Sequence, residues 1–308
     1  MRVAAIDCGT NSIRLLVADI SGNSFREVHR DMQIVRLGQG VDLNKAFALD
    51  AIERTLSATQ IFADVIRNKG VERIRFCATS ATRDATNRDI FIDGVRQILG
   101  VEPEVIPGTQ EAALSFLGAT KEFNVESAPF LVVDIGGGST EFVLGTDDVD
   151  RAISVNIGCV RMAERHLIDQ PPTAQQLKAA IADIDLAVSQ AANVMSFESA
   201  QTLIAVAGTA TTVAAAALGL ADYDRYSIHL SRIPVTKVHQ VATMFAAMTR
   251  AEIAALGYMH PGRVDVITAG SLVLSRIMEL TTATEFVASE ADILDGIAWE
   301  LASEQPRA

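Results

Sequence analysis

Two short segments of this 308-residue sequence carry an acid, small turn residues and a hydroxyl in the same order: Asp7-Cys8-Gly9-Thr10-Asn11-Ser12 and Asp134-Ile135-Gly136-Gly137-Gly138-Ser139. Three consecutive glycines leave backbone N–H groups unshielded by any Cβ, so several of them can converge on one phosphate. Asp134 leads into that loop and Glu141 leaves it. Carboxylates placed this way suit Mg2+, which takes hard oxygen ligands and keeps waters that bridge to phosphate. Asp7 is counted with them as a candidate ligand. The first copy is poorer in glycine, but Thr10, Asn11 and Ser12 offer side-chain hydrogen bonds to phosphate oxygens. Arg14, two residues past Ser12, shares its face of the strand. A single such hairpin could be an ordinary turn with a capped acid, and the duplication weakens that reading. Neither copy is a Walker A loop, and a strand follows where a dinucleotide fingerprint needs a helix.

Three further segments offer chemistry. Thr79 to Asn87 is crowded with hydroxyls and contains Arg83, whose guanidinium matches phosphate bidentately. Glu111 sits in the first turn of a helix opened by Pro107-Gly108-Thr109; acids there suit the helix dipole, and the alternative is a general base. Gly208-Thr209-Ala210-Thr211-Thr212 follows a strand and leads into a helix, which makes it a third phosphate-friendly loop.

Alternating apolar patterns predict a strand at Val3–Ile6, another at Ile13–Ile20, and a third at Phe25–Asp31 or Gln33–Leu37. A helix follows from Asp50 to Lys69, with Asp50 as cap and Gly70 as terminator. After the polar break at 124–129 the pattern restarts: Phe130–Val133, the glycine turn, then Thr140–Gly145. The repeat predicts two similar domains facing one another across a cleft. Composition agrees with an ordinary globular protein: 49% apolar, 21% charged, net charge −12. An acidic chain has no general electrostatic reason to bind nucleic acid or an anionic membrane. No apolar run reaches the ~20 residues of a membrane helix, and the first residues run straight into a strand without a leader. Cys8, Cys77 and Cys159 are odd in number and widely spaced, which reads as buried thiols in a reducing cytoplasm. The five histidines show no metal-ligand spacing.

Taken together, these motifs resemble the exopolyphosphatase/guanosine-pentaphosphate phosphohydrolase (Ppx/GppA) family. The resemblance spans nearly the whole chain and also covers Val264 to Gly270 and Ser289 to Gly296. It implies two ribonuclease-H-like α/β domains of the actin-like ATPase superfold (sugar kinase, Hsp70, actin) with an interdomain cleft. The domains are expected at 1–124 and 125–296, with a terminal helix at about 297–308 packing on the first. It implies Glu111 as the base that activates water, with Asp134 and Glu141 supporting Mg2+ (or Mn2+) and water. Gly136, Gly137, Gly138 and Ser139 match the phosphate cradle, and Asn11, Ser12 and Arg83 match positions facing the phosphate chain. With Thr10, Arg14, Gly208 and Thr209 these complete the expected substrate contacts.

Two departures bear on substrate. Gln110 and Ala113 stand where the family often has an acid and an arginine, and the chain stops just after its second domain. A short groove suits short chains. The expected activity is therefore release of terminal orthophosphate from polyphosphate by Mg2+-dependent in-line attack of water. Hydrolysis of the 5′ γ-phosphate of guanosine pentaphosphate (pppGpp) is the nearest alternative. A small-molecule kinase of the same superfold, or a non-catalytic polyphosphate or alarmone sensor, are rivals from other classes. A homodimer is a family expectation.

Overall fold

The computed structural model describes residues 1–303 as two compact α/β units. The first comprises residues up to Gly118 together with the terminal helix from Ile293; the second runs from Ala119 to Asp292. The division between the units falls at Gly118/Ala119 near the end of a helix, and the terminal segment rejoins the first unit from Ile293. Polar composition marks the loop that follows the helix, whereas packing decides which unit the helix belongs to. Residues 304–308 of the expected terminal helix lie outside the described residues.

The first unit holds strands β1 (Arg2–Cys8), β2 (Ser12–Ser21), β3 (Ser24–Ile34), β4 (Arg73–Ala78) and β5 (Glu104–Val105) in the order β3-β2-β1-β4-β5. The first three form an antiparallel meander, and β4 and β5 run parallel to β1 and to each other. This is the expected ribonuclease-H-like arrangement. The single strand β3 covers ground the sequence pattern divides between two candidates, because a bulge at Val17/Ala18 absorbs the break in periodicity. Helices α1 (Val41–Asn44), α2 (Leu49–Lys69), α3 (Ser80–Asp84), α4 (Arg88–Leu99) and α5 (Gly108–Thr120) follow. Helix α2 begins one residue ahead of the expected cap, so Asp50 lies in its first turn and pairs with Arg54 at 2.5 Å.

Strand periodicity sorts the core. Ala4, Ile6 and Cys8 of β1 join Ile13, Leu15 and Val17 of β2 on one face, packed with Phe62, Phe76 and Phe91. Val3 and Ala5 join Leu16 and Ala18 on the other, packed with Leu114 of α5 and with Ile293, Leu294 and Ile297. Asp7 and Arg14 fall in register on this second face.

The second unit repeats the plan with β6 (Phe130–Ile135), β7 (Thr140–Gly145), β8 (Val149–Val155), β9 (Thr202–Val206), β10 (Arg232–Pro234) and β11 (Glu285–Ala288). Their order is β10-β11-β9-β6-β7-β8; it is the first sheet's order with one antiparallel strand added at the edge. Helices α6 (Cys159–His166), α7 (Ala174–Ala192), α8 (Ala207–Leu218), α9 (Arg225–Ile228), α10 (Val235–Ala247), α11 (Arg250–Ala254) and α12 (Ile267–Leu280) complete it. Leu131, Val133, Phe142 and Leu144 face the main cluster, so Asp134 and Glu141 lie on the opposite face. The terminal helix, α13 (Ile293–Ser303), packs on β1, β2 and β4 of the first unit. Arg30 to Asp295 at 2.5 Å and Arg73 Nη1 to the Leu301 carbonyl at 2.6 Å fasten it there.

Candidate active site

The two hairpins are the same turn at the level of hydrogen bonds. Gly9 N–H donates to the Ser12 carbonyl at 2.9 Å, and Gly136 N–H to the Ser139 carbonyl at 3.0 Å. Following each turn, the next strand returns antiparallel, which sets Asp7 opposite Arg14 and Asp134 opposite Glu141. The duplicated register thus holds opposite chemistry. In the first unit Arg14 Nε and Nη2 donate to Asp7 Oδ2 at 3.0 and 2.7 Å, forming a mostly buried ion pair. In the second, two buried carboxylates stand directly across the ladder, 6% and 1% exposed. Ser154, the register partner of Glu141 on β8, donates to its Oε1 at 2.6 Å.

The glycine loop is braced from behind. The N–H groups of Cys159, Val160 and Arg161, at the start of α6, donate to the carbonyls of Gly136 and Gly137 at 2.9 to 3.0 Å, and Arg161 Nε donates to the Gly138 carbonyl at 2.6 Å. Gly158 permits the approach, since a Cβ there would fall 2.5 Å from the Gly137 oxygen. With the carbonyls committed to α6, no backbone carbonyl among the described residues accepts a hydrogen bond from the N–H groups of Gly137, Gly138 or Ser139. Unpaired donors on a loop whose carbonyls point away are what an anion needs. The first loop is braced in the same way by residues 35–38: Val35 and Arg36 donate to the Asn11 carbonyl and Gly38 to that of Thr10. The Thr10 hydroxyl is shared with that of Ser80 at 2.9 Å, so its polarity is partly spent inside the unit.

Glu111 lies in the first turn of α5, 8% exposed. Arg83 Nη1 donates both to Glu111 Oε2 at 2.6 Å and to the Ile106 carbonyl at 2.9 Å, tying α3 to the chain that enters α5. Burial pushes the Glu111 carboxyl above its ordinary range. Arg83 opposes this by charge and hydrogen bond, the Asp7 charge adds to it, and a hydrogen bond from the Thr79 hydroxyl opposes it. The net upward shift means desolvation outweighs the arginine. A carboxylate so poised has the chemistry of a general base. Strand alternation puts Asp7 and Arg14 on the sheet face that α5 covers, and helices α3 and α5 supply Arg83 and Glu111 to the same unit's polar cluster.

The third loop opens α8. Ala207 adopts φ 64°, a left-handed conformation costly for a residue with a Cβ. Arg263 Nη1 holds the turn by donating to the Gly208 carbonyl and to Thr212 Oγ1, both at 2.8 Å. Thr209 is buried. Sequence reading misses Gly158, Arg161, Ala207 and Arg263, because each acts on a segment distant in sequence or through a backbone angle. Thr79 stood in the hydroxyl-rich segment, but nothing local aimed it at Glu111. The three cysteines are buried free thiols, and no helix among the described residues is long and apolar enough to cross a membrane.

Comparison with known proteins agrees with this geometry. The family model for the Ppx/GppA phosphatase family matches residues 16–304. The chain is 46% identical to exopolyphosphatase 2 of Mycobacterium tuberculosis over 98% of both chains. It is 31% identical to the guanosine-5'-triphosphate,3'-diphosphate pyrophosphatase of Vibrio atlanticus over 98% of this chain and 59% of that one. A solved exopolyphosphatase-like protein superposes with a TM-score of 0.94 at 45% identity, covering 97% of this chain and 98% of the other. The family model and the identity over nearly the whole chain make this chain a member of the Ppx/GppA phosphatase family.

Proposed function

We propose that the protein is an exopolyphosphatase that releases orthophosphate from the end of an inorganic polyphosphate chain. The carrying observation is Glu111: a buried carboxylate held by Arg83 and Thr79, with its proton affinity raised. In this reading a water oxygen bonds to the terminal phosphorus, the bridging P–O bond breaks with its electrons leaving on the shortened chain, and Glu111 takes the water's proton. Positioning and charge neutralisation supply most of the acceleration. Within the first unit we assign anion contacts to Asn11, Ser12 and Arg83; within the second, taken by itself, we assign them to the N–H groups of Gly137, Gly138 and Ser139 and to the Gly208-Thr209 turn.

The donor set fits a hard divalent cation at Asp134 and Glu141. These are two carboxylates on one sheet face, and no group of three or more metal-ligating side chains exists among the described residues. Water and phosphate oxygens would have to complete the shell, which suits Mg2+ and, second, Mn2+. When bound, such an ion supplies charge neutralisation on the phosphate oxygens. Asp7, already neutralised by Arg14, we leave as charge balance for the cluster around Glu111.

Substrate choice rests on relatives: the 46% identity is to a protein named exopolyphosphatase, while the named guanosine pyrophosphatase lies at 31% and is longer. Glu111→Gln should lower phosphate release by about 10²- to 10⁴-fold in a folded protein; near-normal turnover rejects the assignment. Side-by-side turnover of short polyphosphate, long polyphosphate and pppGpp decides the substrate, and faster pppGpp turnover replaces this reading. We also place the protein in a reducing cytoplasm, supported by its buried thiols, and as a homodimer, which a monomer mass by light scattering would remove.

A further inference from the structure

Glu111 is fixed at its carboxyl end by Arg83, but the helix that carries it must also be held. One turn further along α5, the Leu114 carbonyl is met by the backbone of α13 at Gly296. A Cβ built on Gly296 would lie 1.9 Å from the Leu114 oxygen, 2.8 Å from its carbonyl carbon and 3.2 Å from its Cα. All three atoms are backbone, so no side chain can swing aside to make room. Gly296 φ is not left-handed, and the glycine is required by proximity rather than by backbone angle. The seat around it is dry: Leu114, Ile293, Leu294, Ile297 and Leu301 are 0% to 4% exposed and share one cluster with Val3 and Ala5 of β1.

Resting on the reading of Glu111 as the base, we propose that Gly296 is a positioning residue for Glu111. The contact of α13 with α5 sets how far the Glu111 carboxylate reaches into its pocket beside Arg83. Any side chain at 296 must push α5 away by about 1 Å or more, because close-packed interiors do not absorb such an overlap. Glu111 is three residues from Leu114 on the same side of the helix. It moves with α5, while Asn11, Ser12 and Arg83 belong to other elements and stay. A displacement of about 1 Å in a reacting group can cost about 10²-fold in rate.

The test is steady-state phosphate release from polyphosphate by Gly296→Ala, with Leu301→Ala as control. Leu301→Ala removes buried surface from the same helix, five residues beyond the backbone contact of Gly296 with Leu114. The expected result is kcat lower by about 10²-fold in Gly296→Ala with KM within about twofold, and kcat unchanged in Leu301→Ala despite its lower melting temperature. Adding Glu111→Gln to Gly296→Ala should cost no more than Glu111→Gln alone, since both act through one group. If Gly296→Ala does not fold, Ile297→Ala loosens the same seat without a clash, and its kcat must fall several-fold more than that of Leu301→Ala. Wild-type kcat in folded Gly296→Ala, a loss confined to KM, or additive losses in the double variant would each overturn the proposal. Failure of the base assignment itself is seen separately, as near-normal turnover in Glu111→Gln.

Discussion

Thr79→Val isolates the electrostatics of Glu111 from substrate binding. Thr79 stands at the N-terminal boundary of α3, is 3% exposed, and its hydroxyl favours the ionised form of the Glu111 carboxyl. Valine keeps the shape and deletes one donor. A hydrogen bond to a charged group in such a setting is worth about 1.5–3 kcal/mol, or roughly 10- to 100-fold in an equilibrium constant. The bond favours the ionised carboxyl, so its loss pushes the Glu111 pKa further upward. A base with a raised pKa is lost to protonation at higher pH. The acid limb of kcat/KM should therefore move to higher pH. At a fixed pH on that limb the variant should fall about 10- to 100-fold below the parent. The two profiles should converge at alkaline pH, with KM unchanged. Stability carries the same sign. A carboxyl whose folded pKa is raised penalises the fold only where it is ionised, and deleting its donor enlarges that penalty. The variant's deficit in thermal stability should be present at neutral pH and shrink as pH falls through the Glu111 range. An unmoved limb, or one moved to lower pH, in a folded variant would refute the reasoning.

Other outcomes follow from single contacts. Ala207→Gly reverses the usual sign of an alanine-to-glycine change: relief of the left-handed φ should raise stability by about 1 kcal/mol, seen as a higher denaturant midpoint with unchanged slope. Gly158→Ala should over-pack the glycine loop by about 1–3 kcal/mol and raise KM for polyphosphate more than it lowers kcat. Thr140→Val, which strands the Ile157 carbonyl that Thr140 Oγ1 reaches at 2.7 Å, should cost about 1–3 kcal/mol in chemical denaturation. Chelation should abolish turnover and added Mg2+ restore it, with Asp134→Asn needing more Mg2+ than the parent protein; chelator-resistant turnover would remove the metal from the reading.

Much of this protein is legible in its sequence because the features are local. Strand alternation in Val3–Ile6 and Ile13–Ile20, the terminator Gly70, and the repetition of an acid, a turn and a hydroxyl need only neighbours in the chain. They fix the secondary elements and show that the fold is duplicated. The tertiary structure decided what the sequence could not, because those answers depend on segments brought together from afar. Asp7 and Asp134 look equivalent in sequence, yet the ladder sets one against Arg14 and the other against Glu141. One hairpin therefore cancels its own charge while the other gathers two acids. Glu111, whose place in a first turn suits the helix dipole as well as a base, owes its raised proton affinity to burial, which outweighs the opposing Arg83 and Thr79 that arrive with α3. The division between the units likewise depends on packing, since a polar stretch marks where the chain meets water and only packing shows which core a helix shares.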